Sequence, residues 1–274
     1  MSFSKRLEDA RKGFLKGDPE LSAKAHDVQA IRRAMHHRER HASAGSEYIG
    51  SMVYGGLDGI ITTFAVVSGV AGAGLKPEII IILGLANVFA DGFSMATGAY
   101  LSEKSEMELY ERERQRESWE VEHFPEAEKE ELRQLYLAQG YPEEDANQMV
   151  EIKARDKQRW VDAMMLEELN LLPADTKPLT SALVTFGAFV IAGLLPLMVF
   201  LLDWLLPFSL SGQSAFWISV GVSGLALFGL GAAKVLVTER PPLRSGLEML
   251  LVGGLAAAVA YLVGMFLRSL GLNG

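Results

Sequence analysis

The chain has 274 residues, 49% of them hydrophobic, a formal net charge of −8 and no cysteine. Its mean hydropathy of +0.17 is high for a soluble protein of this length, whose apolar residues are usually interrupted at regular intervals. The missing cysteine excludes disulfides, thiolate metal sites and thiol catalysis, so any metal must be held by carboxylate, imidazole, thioether or backbone oxygen.

The charge is segregated along the chain. Residues 102–178 hold 21 of the 34 acidic residues against 11 Lys and Arg, whereas residues 179–274 hold three acids and four bases. This is the pattern of an all-α integral, multi-pass membrane protein with an acidic polar insert.

Residues 1–45 are polar and carry about four net positive charges. They lack the apolar core of a signal peptide. Phe3, Leu7, Ala10 and Phe14 recur near helical spacing, which predicts a short amphipathic helix at a membrane surface or a solvated tail. His37 and His41 in "HHRERH" stand one turn apart, although the surrounding arginines favour a solvated basic segment over a metal site.

Five stretches, 48–74, 77–101, 178–203, 213–237 and 245–268, are long enough to cross a hydrocarbon core of ~30 Å. Pro77 suits the first turn of the second helix. Lys234, Arg240 and Arg244 place the loop between spans four and five in the cytoplasm, and the Lys/Arg-free loop "DWLLPFSLSGQS" outside. Counting back puts the N-terminus and the acidic insert inside and the C-terminus outside. The resulting order is an N-terminal segment 1–45, spans one and two in 46–101, and a cytoplasmic domain of three to four helices in 102–177. Spans three to five follow in 178–268, with a tail of 269–274. No internal repeat is present.

The second span runs without a breaker into "LSEKSEMELYERERQRESWEVEH", predicting one helix that projects well beyond the membrane. Glu106, Glu113, Glu117 and Glu120 share one face of it. Phe124-Pro125 starts a further helix with Glu128 and Glu131 three apart, which Gly140 ends; Pro142 starts a third, and Met164 and Glu168 lie four apart on the last. One reading is a solvated acidic surface balanced by Arg112, Arg114 and Arg116. Against it, carboxylates at i,i+4 repel by a few tenths of a kcal/mol each, a cost that a divalent cation reverses. Carboxylates with one thioether suit Fe(II), Mn(II) or Co(II) better than Mg(II). The Glu-x-x-His spacing of Glu120 and His123 occurs once, where di-iron bundles need it twice, and reads as a chance match.

Within the spans, Asp58 lies about ten residues into the first. In "LANVFADGFSMATGAY", Asn87, Asp91 and Met95 are spaced by four and so share a helix face. A carboxylate near mid-bilayer costs roughly 2.5–3.5 kcal/mol and by default marks function. No Lys or Arg lies at matching depth. Gly55, Gly56 and Gly59 permit close helix approach beside Asp58. The row describes a cation path; the alternative is a protonated Asp–Asp packing contact.

The segments "YGGLDGIITTFAVVSGVAGAG", "LANVFADGFSMATGAYLSEKSE", "AMMLEELNL" and "SALVTFGAFVIAGLLPLMVF" occur in the order found in the vacuolar iron transporter family. The resemblance extends to its bacterial members, the iron/manganese exporters, and covers about residues 46–268. It implies five spans, a homodimer with the path at the subunit interface, a cytoplasmic helical domain between spans two and three, and export of ferrous and related divalent ions against inward protons. By position, Asp58 and Met95 match the family's membrane-path residues. Glu117, Glu120, Glu128, Glu131, Met164 and Glu168 match its cytoplasmic metal ligands, with Glu106 and Glu113 as additional candidates. Some members carry a glutamate where this chain has Asn87; here the acid is one turn on, at Asp91.

The expectation is therefore a proton-coupled exporter of Fe(II), with Mn(II), Co(II) and Zn(II) as further candidates, and not an enzyme. No organic cofactor and no nucleic-acid partner are expected, and the location expected is a bacterial inner membrane. Two rivals remain. One is a membrane-anchored di-metal carboxylate oxidoreductase, which has no need of Asp58 and Asp91. The other is a metal sensor without transport.

Overall fold

A computed structural model of the chain describes residues 3–28, 48–173, 176–206, 210–233 and 241–271. They form two compact units, Met1–Ile49 and Gly50–Gly274. His37 and His41 lie outside the described residues, as do Lys234 and Arg240 of the loop used for orientation.

In the first unit, α1 (Phe3–Lys16) is the helix that the apolar spacing predicts. A second helix, α2 (Pro19–Ala25), follows a turn at Gly17, whose φ of +62° lies in the left-handed region that favours glycine. A Cβ at Gly13 would meet Ser22 N at 2.8 Å, so the two short helices pack backbone against backbone. Phe14 is 84% exposed.

The second unit holds five helices long and apolar enough to cross a membrane: α3 (Ile49–Ala73), α4 (Pro77–His123), α8 (Pro178–Leu205), α9 (Gly212–Ala233) and α10 (Pro242–Ser269). They meet the expected spans within a few residues; positions 234–237 of the fourth lie outside the described residues. Proline stands at the first turn of α4, α8 and α10, where its missing N–H would have no intrahelical partner in any case. The α4 helix packs along α8, and α9 along both α8 and α10.

Helix α3 sits against α8 through glycine. A Cβ at Gly55 would come within 2.6 Å of Thr185 O, and one at Gly59 within 2.4 Å of Phe189 O. This small-xxx-small pair lets the backbones touch, as expected for membrane helices that associate by close packing. Gly56 approaches α8 less closely; a Cβ there would meet the Leu230 side chain at 3.6 Å and Ala192 of α8 at 3.7 Å, ordinary contacts.

Beyond about Leu101, α4 continues as a charged helix to His123, 47 residues in one piece and about 70 Å long at 1.5 Å per residue. Its projecting end is enclosed by α5 (Pro125–Ala138), α6 (Glu143–Ala154) and α7 (Lys157–Ala163). Gly140, with φ +94°, makes the turn between α5 and α6. Asp156 caps α7 by accepting the Arg159 N–H at 2.9 Å. A core of Val121, Leu132, Tyr136, Ala146, Val150, Trp160, Val161, Met164 and Met165 binds this acidic bundle together. Each large side chain fully buried there contributes about 1.5–3 kcal/mol.

Candidate metal path and acidic cluster

The acidic cluster forms where the end of α4 meets α5 and the segment after α7. Glu117 is 1% exposed and Glu128 5%. Sequence spacing put Glu117 on a glutamate face but did not show that this face turns into the bundle. Met164, in the core of the same bundle, is fully buried, and it opens a π-helical turn, Met164–Glu168. The Leu169 N–H reaches back five residues to Met164 O at 3.1 Å, and Asn170 ends the turn at φ +53°. Such turns insert one extra residue per helical turn and often re-aim side chains at functional sites. No feature of "AMMLEELNL" announces this one.

Burial and mutual repulsion act together on these acids. The Glu117 carboxyl is pushed up to about 7, first by burial and then by Glu168, Glu120 and Glu131, against the opposing pull of Arg116. Glu128 is likewise pushed up to about 7, by burial and then by Glu117 and Glu131. Glu168 is raised by partial desolvation and by Glu131. The structure thus brings Glu117, Glu120, Glu128, Glu131 and Glu168 into electrostatic reach of one another.

Arg116 is the counter-ion of this cluster. Its guanidinium contacts Glu117 at 2.7 Å, Glu113 at 2.9 Å and Glu120 at 3.0 Å. Among the described residues no three His, Asp or Glu side chains converge tightly enough to hold a metal ion as they stand. The donors nevertheless suit a divalent transition metal, since Glu128 Oε2 is buried without a hydrogen-bond partner and Met164 offers a buried sulfur.

The additional candidates stand apart. Glu113 is claimed by Arg112 and Arg116, which hold its carboxyl below the usual range. Glu106 is exposed and accepts the Ser102 hydroxyl at 3.5 Å. His123 turns away from Glu120: its ring stacks on Trp119 at 4.3 Å and its Nδ1 lies 2.8 Å from Trp119 O. The other expected counter-ion, Arg114, pairs with Asp162 across the bundle.

In the spans, a hydrogen bond fixes the register of α3 against α4. Thr62 Oγ1 donates to Asp58 O at 2.8 Å, and Asn87 Nδ2 donates to Thr62 Oγ1 at 3.4 Å. Because α3 and α4 are antiparallel, Thr62 opposite Asn87 sets Asp58 opposite Asp91 and Tyr54 opposite Met95. The two carboxylates are near enough to repel. Asp58 is half-buried, Asp91 is exposed on the outside of the chain, and Asn87 and Met95 are half-buried. No Lys or Arg occurs in 41–75, 77–103, 178–233 or 245–267, so the pair has no cation in the spans.

Thr62 and Tyr54 escape a reading based on charge alone. Their signal is the spacing of four from Asp58 on either side, which puts them on its helix face. Toward the acidic bundle the row opens into a cleft of about 360 Å³, lined by Tyr54, Met95, Ser102, Glu103, Ser181 and Thr185 among others.

Residues 49–265 match the model of the VIT family. A protein of Toxoplasma gondii named "Vacuolar iron transporter" is 39% identical over 268 residues, 96% of this chain and 88% of its own length. One of Plasmodium falciparum with the same name is 33% identical over 97% of this chain and 98% of its own. "Vacuolar iron transporter 1" of Oryza sativa subsp. japonica is 35% identical over 86% and 91%. These relatives give the expected bacterial placement no support, and their names, all of transporters, accord with a protein that is not an enzyme. On the family match and on these relatives, the chain belongs to the VIT family.

Proposed function

We propose that the chain is a proton-coupled exporter of Fe(II), with Mn(II), Co(II) and Zn(II) as further cargo, carrying metal out of the cytosol. The reading is carried by one observation: Asp58 faces Asp91 in spans that hold no cation to neutralise them. Carboxylates at that depth are costly, and a passing M²⁺ or a pair of protons offsets the cost. Because metal and protons compete for the same oxygens, release of one with uptake of the other gives antiport. The relatives' names speak of iron and a vacuole, which supports both the cargo and a destination outside the cytosol.

The acidic bundle, on the cytosolic side with the N-terminus, captures the ion; Asp58, Asp91 and Met95 pass it on. Asp91 and Tyr54 are exposed on the face that α3 and α4 present outward. A lone chain would turn that carboxylate to hydrocarbon, so a two-fold partner covering the face completes the path. This supports a homodimer with the path at its interface.

The test is flux in proteoliposomes bearing an internal metal dye and an internal pH dye. Fe(II) or Co(II) movement with counter-movement of protons is the expected result. Metal binding without flux favours the sensor, and metal-dependent oxygen consumption the oxidoreductase.

A further inference from the structure

In the first unit, α2 packs on one side of α1 and leaves its apolar row to one side. Register places Phe3, Leu7, Ala10 and Phe14 on one face of α1, centred about 90° around the helix from Gly13. Gly13 is where α2 approaches, since a Cβ there would collide with the backbone of Ser22. The contact therefore lies beside the row, and Phe14 is left 84% exposed, with Leu15 next to it at 67%.

The charges are arranged around that row. Helix α1 holds five Lys and Arg against two acids. Arg6 and Arg11 fall about 70° to either side of the row, whereas Glu8 and Asp9 fall on the far side of the helix with Lys5, Lys12 and Lys16. An apolar stripe edged by guanidiniums and backed by a polar face suits a lipid–water interface. There the cationic heads reach the lipid headgroups while the stripe enters the acyl boundary.

Helix stability points the same way. An isolated helix of fewer than about 12–15 residues is marginal in water. Helix α1 has 14 residues, and among the described residues of its unit it packs on α2, which has seven. A surface that takes up Phe14 and its row supplies burial that α2 does not. Residues 26–48 join α2 to the first membrane helix at Ile49 and reach at most about 80 Å when fully extended. The pair is thus tethered to a bilayer, which keeps its effective concentration at the headgroups high.

We propose that α1 is a surface anchor that lies on anionic lipid headgroups of the membrane its own chain crosses. Phe3, Leu7 and Phe14 enter the acyl boundary, and Arg6 and Arg11 meet lipid phosphates. The assignment needs only the membrane spans, so it stands or falls independently of the transport reading.

Full-length protein is reconstituted in nanodiscs of phosphatidylcholine, alone or mixed with phosphatidylserine. The chain has no cysteine, so Ala10→Cys on the row and Lys12→Cys opposite it each carry a single bimane fluorophore. In the anionic discs the label at position 10 should be blue-shifted and shielded from aqueous iodide, while the label at position 12 stays accessible. Arg6→Gln with Arg11→Gln should lower the docked-to-free ratio at position 10 about 25-fold, about fivefold for each charge. Phe14→Ser should expose that label and Phe14→Leu should keep it shielded; at 84% exposure Phe14 has little packing to lose in either variant. The proposal is overturned if positions 10 and 12 are equally accessible in the anionic discs. It is also overturned if shielding at position 10 responds neither to phosphatidylserine nor to the arginines. Shielding that survives Phe14→Ser but not high salt would seat the helix on the acidic bundle, and would overturn it equally.

Discussion

In the acidic bundle, Glu117 and Glu128 are almost fully buried and pushed up to about 7, and the Arg116 guanidinium reaches Glu117 together with Glu113 and Glu120. In the spans, Asp58 and Asp91 are half-buried and exposed, with hydroxyl and amide neighbours and no Lys or Arg in residues 41–75 or 77–103. In the proposed reading the bundle is a store: its protons and Arg116 are resident substitutes that a metal would have to displace, which would make binding dependent on pH. The membrane row has no resident substitute. In the proposed reading it is charged and discharged by the passing ion and protons, which suits passage more than retention.

The largest expected effect tests the membrane half of this contrast. Asp58→Asn keeps the volume and removes the charge, so flux should fall at least tenfold while metal binding to the bundle stays near wild type. Loss of only ~1.4 kcal/mol at the path suffices for that factor. Asp91→Asn should act in the same direction more weakly, because Asn87 and Met95 flank it. Wild-type flux in Asp58→Asn would make the row structural.

The bundle half is tested next. Glu117→Gln combined with Glu120→Gln should weaken Co(II) binding to the bundle about tenfold. Glutamine is preferred to alanine because Glu117 is buried and truncation would leave a cavity. Flux at saturating metal should stay within a few-fold of wild type. Unchanged calorimetric affinity would remove these two residues from the site.

The pH dependence follows with the sign fixed by the raised carboxyls. Glu117 and Glu128 hold protons up to about pH 7, and metal must expel them. Apparent affinity should therefore fall as pH drops below about 7, about tenfold per unit for each proton displaced. Without metal, the protonated pair stabilises the bundle fully below the unfolded glutamate value of ~4.3, and this stability is lost as pH rises through about 7. Thermal unfolding at several pH values, with and without Co(II), should show a metal-induced gain in Tm that grows from pH 5 to pH 8. A flat gain would mean that the buried acids are not ligands.

The smallest effect concerns sidedness. A cysteine at Ser211 and one at Ser118, introduced separately into a chain with no native cysteine, should react with an impermeant thiol reagent from opposite sides of the membrane. Ser211 Oγ accepts the Ser214 N–H at 3.1 Å, so that substitution costs about 1 kcal/mol of helix capping, too little to unfold the chain. Labelling of both from one side would mean that α8 does not cross the membrane between them and that the five-span arrangement is wrong.

Much of the architecture was legible from local chemistry. Pro77, Pro125 and Pro178 mark helix starts, Gly140 marks a turn, and the uninterrupted charged run after Leu101 gives a single projecting helix. What spacing cannot give is the element that each face meets. Glu113 and Glu117 look alike in sequence; in the fold one is held by two arginines near the surface and the other is buried against Met164's turn. The π-helical turn adds one residue to a helix whose composition is ordinary. Arg116, read as one of three surface counter-ions, reaches three glutamates because they fall one, three and four positions away on its own helix. Asn87 facing Thr62 needed the α3–α4 register, which depends on the turn between them.

The uninterrupted α4 also makes the two regions parts of one lever. Between Gly98 and Phe124 the helix has neither glycine nor proline to absorb a bend. Glu117 lies 26 residues, or about 39 Å, beyond Asp91, so a tilt of about 10° around the aspartate would sweep it through about 7 Å. That displacement is more than the span of a metal coordination shell. Any tilt of the spans about Asp91 would therefore carry the acidic bundle, whose core includes Val121 of α4, through a comparable distance.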